Sequence, residues 1–148
     1  MIQRVQTIYL FLVAAIAVFM LFNPIGYFIA GTDINTLYNS MLAYADGTKS
    51  YTPWALCAIL LIVALISTCN IFLFKKRMLQ IRLCIFSIIL LIGYYLTLVA
   101  FIFLLKGDMK FVLSWTLALP AVSIILTWLA MRGIGKDEML VRAYDRLR

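Results

Sequence analysis

The sequence predicts an all-α membrane protein: a bundle of four transmembrane helices that run alternately up and down. Three observations predict it. The first is composition, since 66% of the 148 residues are apolar and 13% are charged, against roughly 45–50% and about 25% in soluble domains. A single soluble core cannot hide that much hydrocarbon at this length. The second is a set of long uncharged intervals, and the third is an uneven distribution of lysine and arginine between the segments that connect them.

Four intervals without Asp, Glu, Lys or Arg are long enough to cross a bilayer, since a helix needs about 20 mostly apolar residues for a hydrocarbon layer of about 30 Å. The predicted spans are about 5–28, 53–74, 83–105 and 111–131. Each interval is apolar on every side, so no helical periodicity is needed to recognise it.

The basic residues indicate the orientation of these spans. Ten of the 13 fall on one side of the predicted bundle, namely Arg4, Lys75, Lys76, Arg77, Arg82, Arg132, Lys136, Arg142, Arg146 and Arg148. The other three are Lys49, Lys106 and Lys110. Because cytoplasmic loops carry the excess of Lys and Arg, both chain termini are predicted to be cytoplasmic.

The first outer loop, residues 31–51, is compatible with two structures. As a helix, its apolar residues from Ile34 to Ala45 would share one face. As a hairpin, Asp46-Gly47 would form the turn between Tyr44 and Tyr51. We favour a small β-hairpin that caps the bundle, and the helix remains the alternative.

The cytoplasmic tail, residues 132–148, predicts a short amphipathic C-terminal helix. Gly133 and Gly135 would release the chain from the fourth span, and Glu138 and Arg142 are spaced for an i,i+4 ion pair. The apolar stripe consists of Leu140, Tyr144 and Leu147. So short a helix is marginal alone in water, so we expect it to dock on the bilayer surface, on the loop between spans two and three, or on another protein.

The composition argues against an enzyme. The chain has no His and six carboxylates, so it lacks the usual metal ligand and the usual general base near neutral pH. Its cysteines, Cys57, Cys69 and Cys84, form no C-x-x-C motif. We predict no catalytic residue, no metal site and no cofactor. The basic residues are not gathered with aromatic residues into a patch, so no nucleic-acid partner is expected.

Uncharged polar residues in the third and fourth spans form a candidate intramembrane cluster: Tyr94, Thr97, Ser123 and Thr127. Hydroxyl residues ordinarily serve the packing of membrane helices against each other. The alternative is a lipid or hydrophobe held in a cleft between these two spans, with Tyr94 as its polar contact.

Several strings along the chain resemble one bacterial family. They are Met1-Ile2-Gln3-Arg4, Gln6-Thr7, Tyr9-Leu10, Tyr51-Thr52, Trp54, Leu79-Gln80-Ile81-Arg82-Leu83-Cys84, Lys136-Asp137-Glu138, Leu140-Val141-Arg142 and Asp145-Arg146-Leu147-Arg148. The family is named domain of unknown function 4293 and consists of small four-pass inner-membrane proteins, and Pro53 departs from its pattern. The resemblance covers the whole chain. It implies a bacterial inner-membrane protein and no particular activity.

These observations predict a non-enzymatic accessory or scaffold subunit. It would contact a membrane-protein partner or anionic membrane lipids through its basic cytoplasmic face. The residues expected there are Gln3, Arg4, Gln80, Arg82, Arg142, Asp145 and Arg146. The alternative is a carrier that binds a lipid or hydrophobe in the polar cleft between spans three and four.

Overall fold

The computed structural model describes residues 2–73 and 75–146. Those residues form four α-helices and a small antiparallel sheet. The helices are α1 (Ile2–Phe22), α2 (Trp54–Phe72), α3 (Arg77–Lys106) and α4 (Leu119–Arg146). Each contains a stretch long and apolar enough to cross a membrane. The prediction of four such helices is confirmed, and they indicate a membrane protein.

The helices form a bundle in which α1 and α3 each pack against both α2 and α4. Buried apolar side chains fill it in three groups. Beside the sheet are Met20, Ile25, Phe28, Leu37, Leu42, Leu56, Leu60, Tyr94 and Leu98. In the middle are Val13, Val63 and Leu91, and at the other end are Leu10, Cys84, Ala130 and Ile134.

The outer surface of the bundle is also apolar. Phe11, Leu65, Phe103 and Ile125, one from each helix, are all more than half exposed. Water disfavours apolar surface of this extent, whereas hydrocarbon does not.

The sheet has five strands in the order β4-β3-β2-β1-β5, and every pair is antiparallel. The strands are β1 (Gly26–Ala30), β2 (Asp33–Leu37), β3 (Leu42–Ala43), β4 (Lys49–Ser50) and β5 (Lys110–Leu113). Phe28, Leu37 and Leu42 are fully buried beneath it, against the helices. The sheet therefore closes one end of the bundle.

The predicted hairpin is confirmed, and the alternative helix over the same loop is wrong. Strands β3 and β4 pair on either side of Asp46-Gly47, with Ala43 opposite Lys49. The Tyr44 N–H donates to the carbonyl of Thr48 at 2.9 Å. Gly47 has a φ of 81°, a conformation that glycine adopts without the steric cost paid by other residues.

The sheet is larger than predicted, because it takes residues from the predicted first and fourth spans. The first span was expected to reach residue 28, yet α1 ends at Phe22. Pro24 cannot continue a helix, and the residues that follow pair as β1. The fourth span was expected to begin at 111, yet β5 ends at Leu113 and a 3₁₀ turn, Trp115–Ala118, precedes α4.

Strands β1 and β5 meet at a position where only glycine fits. A Cβ on Gly26 would lie 2.5 Å from the Cζ atom of Phe111. The Phe111 ring also packs on Phe28, with ring centroids 4.8 Å apart. The segment before α2 is thereby joined to the segment before α4.

The tail is helical as predicted, but it is not a separate helix. Helix α4 is continuous through Gly133 and Gly135 as far as Arg146, so the predicted release from the fourth span is wrong. Glycine within a helix costs about 1 kcal/mol relative to alanine. Here Gly133 makes room for a neighbour, since a Cβ on it would lie 3.0 Å from Cγ of Gln6. Leu147 and Arg148 lie outside the described residues.

Candidate functional site

We call the end of the bundle that carries the sheet the sheet end. There, Asn39 connects the sheet to the helices. This residue follows β2 and is fully buried. Its Nδ2 donates to the carbonyl of Met20 at 2.6 Å, and its Oδ1 accepts from the Tyr94 hydroxyl at 2.7 Å. Its carbonyl accepts from the N–H of Cys57 at 3.2 Å. Asn39 thus connects the sheet to α1, α2 and α3.

The predicted intramembrane cluster does not come together as one hydrogen-bonded group. Tyr94 is buried and donates to Asn39, as described above. Thr97 donates to a carbonyl of its own helix, and so does Thr127, to Ser123. Within residues 2–73 and 75–146, no hydrogen bond joins Tyr94 or Thr97 to Ser123 or Thr127. Ser123 and Thr127 are buried, which fits the packing role of such residues.

Tyr95 has a structural role that was not predicted from the sequence. Its hydroxyl donates to the carbonyl of Leu117 at 2.8 Å and accepts from the N–H of Ala121 at 2.9 Å. These two backbone groups would bond to each other in a regular α-helix. The Tyr95 hydroxyl therefore bridges them around Pro120 and ties α3 to the start of α4.

The opposite end of the bundle, called the basic end, contains the start of α1, the residues from 75 to 82 and the last part of α4. Asn70 and Gln80 lie there and bond to each other's backbone. Gln80 Nε2 donates to the Asn70 carbonyl at 2.8 Å, and Asn70 Nδ2 donates to the Gln80 carbonyl at 3.3 Å. Gln80 is buried, so its predicted place on an exposed contact surface is wrong. It joins α2 to α3 instead.

Asp137 joins three helices at the basic end. Gln6 Nε2 donates to Asp137 Oδ2 at 2.7 Å, and both side chains are buried. Arg77 Nη1 donates to the carbonyl of Asp137 at 3.3 Å. This contact ties α4 to the starts of α1 and α3, and it explains why the tail continues the fourth helix rather than leaving it.

Beside this contact lies an open groove of about 970 Å³, called the basic groove. It is lined by Lys75, Lys76, Arg77, Met78, Leu79, Arg82, Glu138 and Val141. Four of these residues are basic and one is acidic. Glu138 is paired with Nε of Arg142 at 3.0 Å, as the i,i+4 spacing predicted. In the part of the chain that the structure describes, no carboxylate pairs with Lys76, Arg77 or Arg82.

The predicted surface residues divide into several groups. Arg82 lines the basic groove, and Arg142 borders it through Glu138. Asp145 and Arg146 are exposed near the end of α4. The side chains of Gln3 and Arg4 lie outside the described residues. Lys76, Arg77 and Glu138 were not predicted as members of a site, because the basic run at 75–77 indicates the orientation of the spans and Glu138 is spaced for an ion pair with Arg142.

The chain matches a known protein family along almost its whole length. The model of the family described as "Domain of unknown function (DUF4293)" matches residues 2–147, which confirms the resemblance found in the sequence. No curated protein matches the chain.

Proposed function

The chain belongs to the DUF4293 family, and we propose that this member is a non-enzymatic accessory or scaffold subunit of the bacterial inner membrane. Its basic end is the contact surface. A partner protein binds the last turns of α4, and anionic lipid is the second ligand at the same end.

In this proposal the four helices cross the bilayer alternately up and down, with both termini in the cytoplasm. The apolar outward faces of all four helices support membrane insertion. The two ends of the bundle also differ in charge. The basic end carries Lys75–Arg77, Arg82 and the arginines of α4, whereas Lys49 and Lys110 lie at the sheet end. That bias supports a cytoplasmic basic end.

The observation that carries the proposal is the projection of α4 beyond its neighbours. Asp137 is buried, yet every residue from 139 to 146 is exposed. At 1.5 Å per residue, this segment extends about 13 Å past Asp137. Leu140 is 54% exposed and Tyr144 is 76% exposed, and both lie on the predicted apolar stripe. An exposed apolar stripe on a projecting helix is typical of a surface that enters a partner's groove.

Photo-crosslinking in native membranes tests this proposal. A photoreactive amino acid at position 144 is expected to give one defined protein adduct, and the same amino acid at position 34 is not. Ile34 is a matched control because it is 57% exposed on the sheet at the opposite end.

A variant pair provides the second arm. With the crosslinker at position 143, Leu140→Glu with Tyr144→Glu is expected to abolish the adduct, and Ile34→Glu is expected to leave it intact. Both variants should have the same stability to unfolding in detergent as the parent protein. An adduct that survives the double variant, or a probe that labels only lipid, contradicts the proposed partner.

The lipid-carrier hypothesis stays a prediction. It placed the polar contact at the Tyr94 hydroxyl, which donates to Asn39. No further feature of the α3–α4 contact favours this function over the accessory role.

A further inference from the structure

We propose that the basic groove binds the phosphate-bearing headgroup of an anionic phospholipid, whose acyl chains lie along the outer face of α3. This inference rests on the proposed function, which gives anionic lipid as the second ligand at the basic end, and it assigns the headgroup of that lipid to a defined groove.

The first argument is charge. The groove brings Lys75, Lys76, Arg77 and Arg82 around one open space. Its single carboxylate, Glu138, already pairs with Arg142. No described carboxylate pairs with Lys76, Arg77 or Arg82, so the groove keeps a net positive charge that an anion would neutralise.

The backbone at the start of α3 adds to this charge. The first N–H groups of a helix have no acceptor within the helix, and its N-terminus carries a partial positive charge. Here the N–H of Leu79 donates to the carbonyl of Lys76 at 3.0 Å, but Lys76 provides no side-chain cap and the first turn contains no acidic residue. Cations at this end are unfavourable for an isolated helix. A bound phosphate would accept hydrogen bonds and relieve that repulsion.

The lining of the groove favours a lipid over a small soluble anion. Met78, Leu79 and Val141 are each between 38% and 47% exposed and lie in the same groove. Above Arg82, the exposed residues Ile85, Phe86 and Ile89 follow at three, four and seven positions. Residues with this spacing share one helix face. A headgroup at Arg82 would therefore have an apolar track for its chains directly beside it.

Native mass spectrometry on the full chain tests the proposal. The protein is reconstituted in equal parts of phosphatidylglycerol and phosphatidylcholine and then released. We expect phosphatidylglycerol to be retained preferentially. Lys76→Gln with Arg82→Gln should weaken its retention about 30-fold, since each basic residue near anionic lipid contributes about a fivefold factor. Arg132→Gln is the matched control, because Arg132 lies over the Trp128 ring on α4 and does not line the groove.

A second variant keeps the proposal testable if the variant with Lys76→Gln and Arg82→Gln does not fold. Glu138→Gln removes the acidic residue from the lining and should raise the preference for phosphatidylglycerol. Equal retention of the two lipids by the parent overturns the proposal, and so does an Arg132→Gln effect as large as that of the double variant. Displacement of the lipid by inorganic phosphate would identify a site for a soluble anion instead.

The outcomes separate this inference from the proposed function. The crosslink from the end of α4 to a partner does not require Lys76 or Arg82. Loss of lipid preference with an intact adduct would refute the lipid site alone. A partner adduct lost in the Lys76→Gln and Arg82→Gln variant, without any lipid preference in the parent, would assign the groove to protein and overturn the lipid proposal.

Discussion

Each end of the bundle has a buried polar residue that joins several elements, Asn39 at the sheet end and Asp137 at the basic end, but the two ends differ in what covers that residue. Asn39 binds three helices through neutral groups, and a five-stranded sheet covers it. Asp137 binds two helices through Gln6 and Arg77, and an open groove and a projecting helix lie beside it. The contrast separates two tasks. The covered end fixes the helices, and the uncovered end leaves charged and apolar side chains exposed.

If the sheet end fixes the bundle, removal of the Asn39 amide should have the largest effect on stability. Asn39→Ala leaves the buried Tyr94 hydroxyl and Met20 carbonyl without their partner, which we expect to lower the free energy of unfolding by about 3 kcal/mol. Denaturant unfolding in detergent, followed by tryptophan fluorescence, measures it. Asn23→Ala is the control, since that amide bonds only to an exposed turn of its own helix. If the two variants lowered the free energy of unfolding equally, Asn39 would not be the residue that holds the sheet end together.

The contact between β1 and β5 gives a second test. Alanine at Gly26, in this contact, and alanine at Gly93, outside it, are expected to change the free energy of unfolding in opposite directions. Gly26→Ala forces a methyl group against Phe111 and should lower the free energy of unfolding by about 2 kcal/mol, in the range for overpacking. Gly93→Ala meets nothing within 4 Å in the interior of α3. It should stabilise by about 0.5 kcal/mol, because it reduces the freedom of the unfolded chain. The same unfolding experiment applies, and a stabilising Gly26→Ala would contradict the close approach.

At the basic end, Asp137→Ala tests how much the contacts of Asp137 contribute to the free energy of unfolding. The variant removes the acceptor of Gln6 but leaves the Asp137 carbonyl that Arg77 contacts. We expect a loss of about 1.5 kcal/mol, below that of Asn39→Ala, together with faster hydrogen exchange in the last turns of α4. Asp145→Ala is the matched control on an exposed site of the same helix. A larger effect at Asp137 than at Asn39 would reverse the comparison of the two ends.

The smallest loss of stability is expected at Tyr95. Tyr95→Phe removes the hydroxyl that bridges Leu117 and Ala121, and two backbone groups at the start of α4 lose their partner. The expected loss is about 1 kcal/mol, at the upper part of the range for hydrogen bonds between membrane helices. Hydrogen exchange at Ala121 reports it locally. Tyr51→Phe, at a 65% exposed side chain, should change nothing, and unchanged exchange in both variants would show that the bridge is dispensable.

Much of the architecture could be predicted because the relevant signals are local. Long uncharged intervals identified the helices, and Asp46-Gly47 identified a hairpin turn. Strands β1 and β5 escaped prediction for a physical reason. Their apolar residues have the same hydropathy whether they face lipid or cover the bundle. The pairing of β5 with β1 also joins two segments far apart in the chain, although β1 pairs with the neighbouring β2 as well. The local signal was Pro24, which ends α1.

The candidate site was harder to predict than the helices. Arg82 lines the basic groove, whereas Gln80 lies at the same end of the bundle but is buried, since a polar side chain can equally well face water or bind a buried backbone carbonyl. Gly133 was interpreted as a helix end although it makes room for Gln6. Asn39 and Tyr95 were missed because they bind backbone groups of other elements, and no residue type in the sequence identifies such partners.

The pairing of β1 with β5 determines when the sheet can be completed during synthesis of the chain. Strand β1 emerges from the ribosome soon after α1, but its second neighbour is not translated until α2 and α3 have followed. A nascent chain therefore carries β1 with one side unpaired while α2 and α3 are being translated. The sheet therefore cannot close until α3 and β5 have both been synthesised.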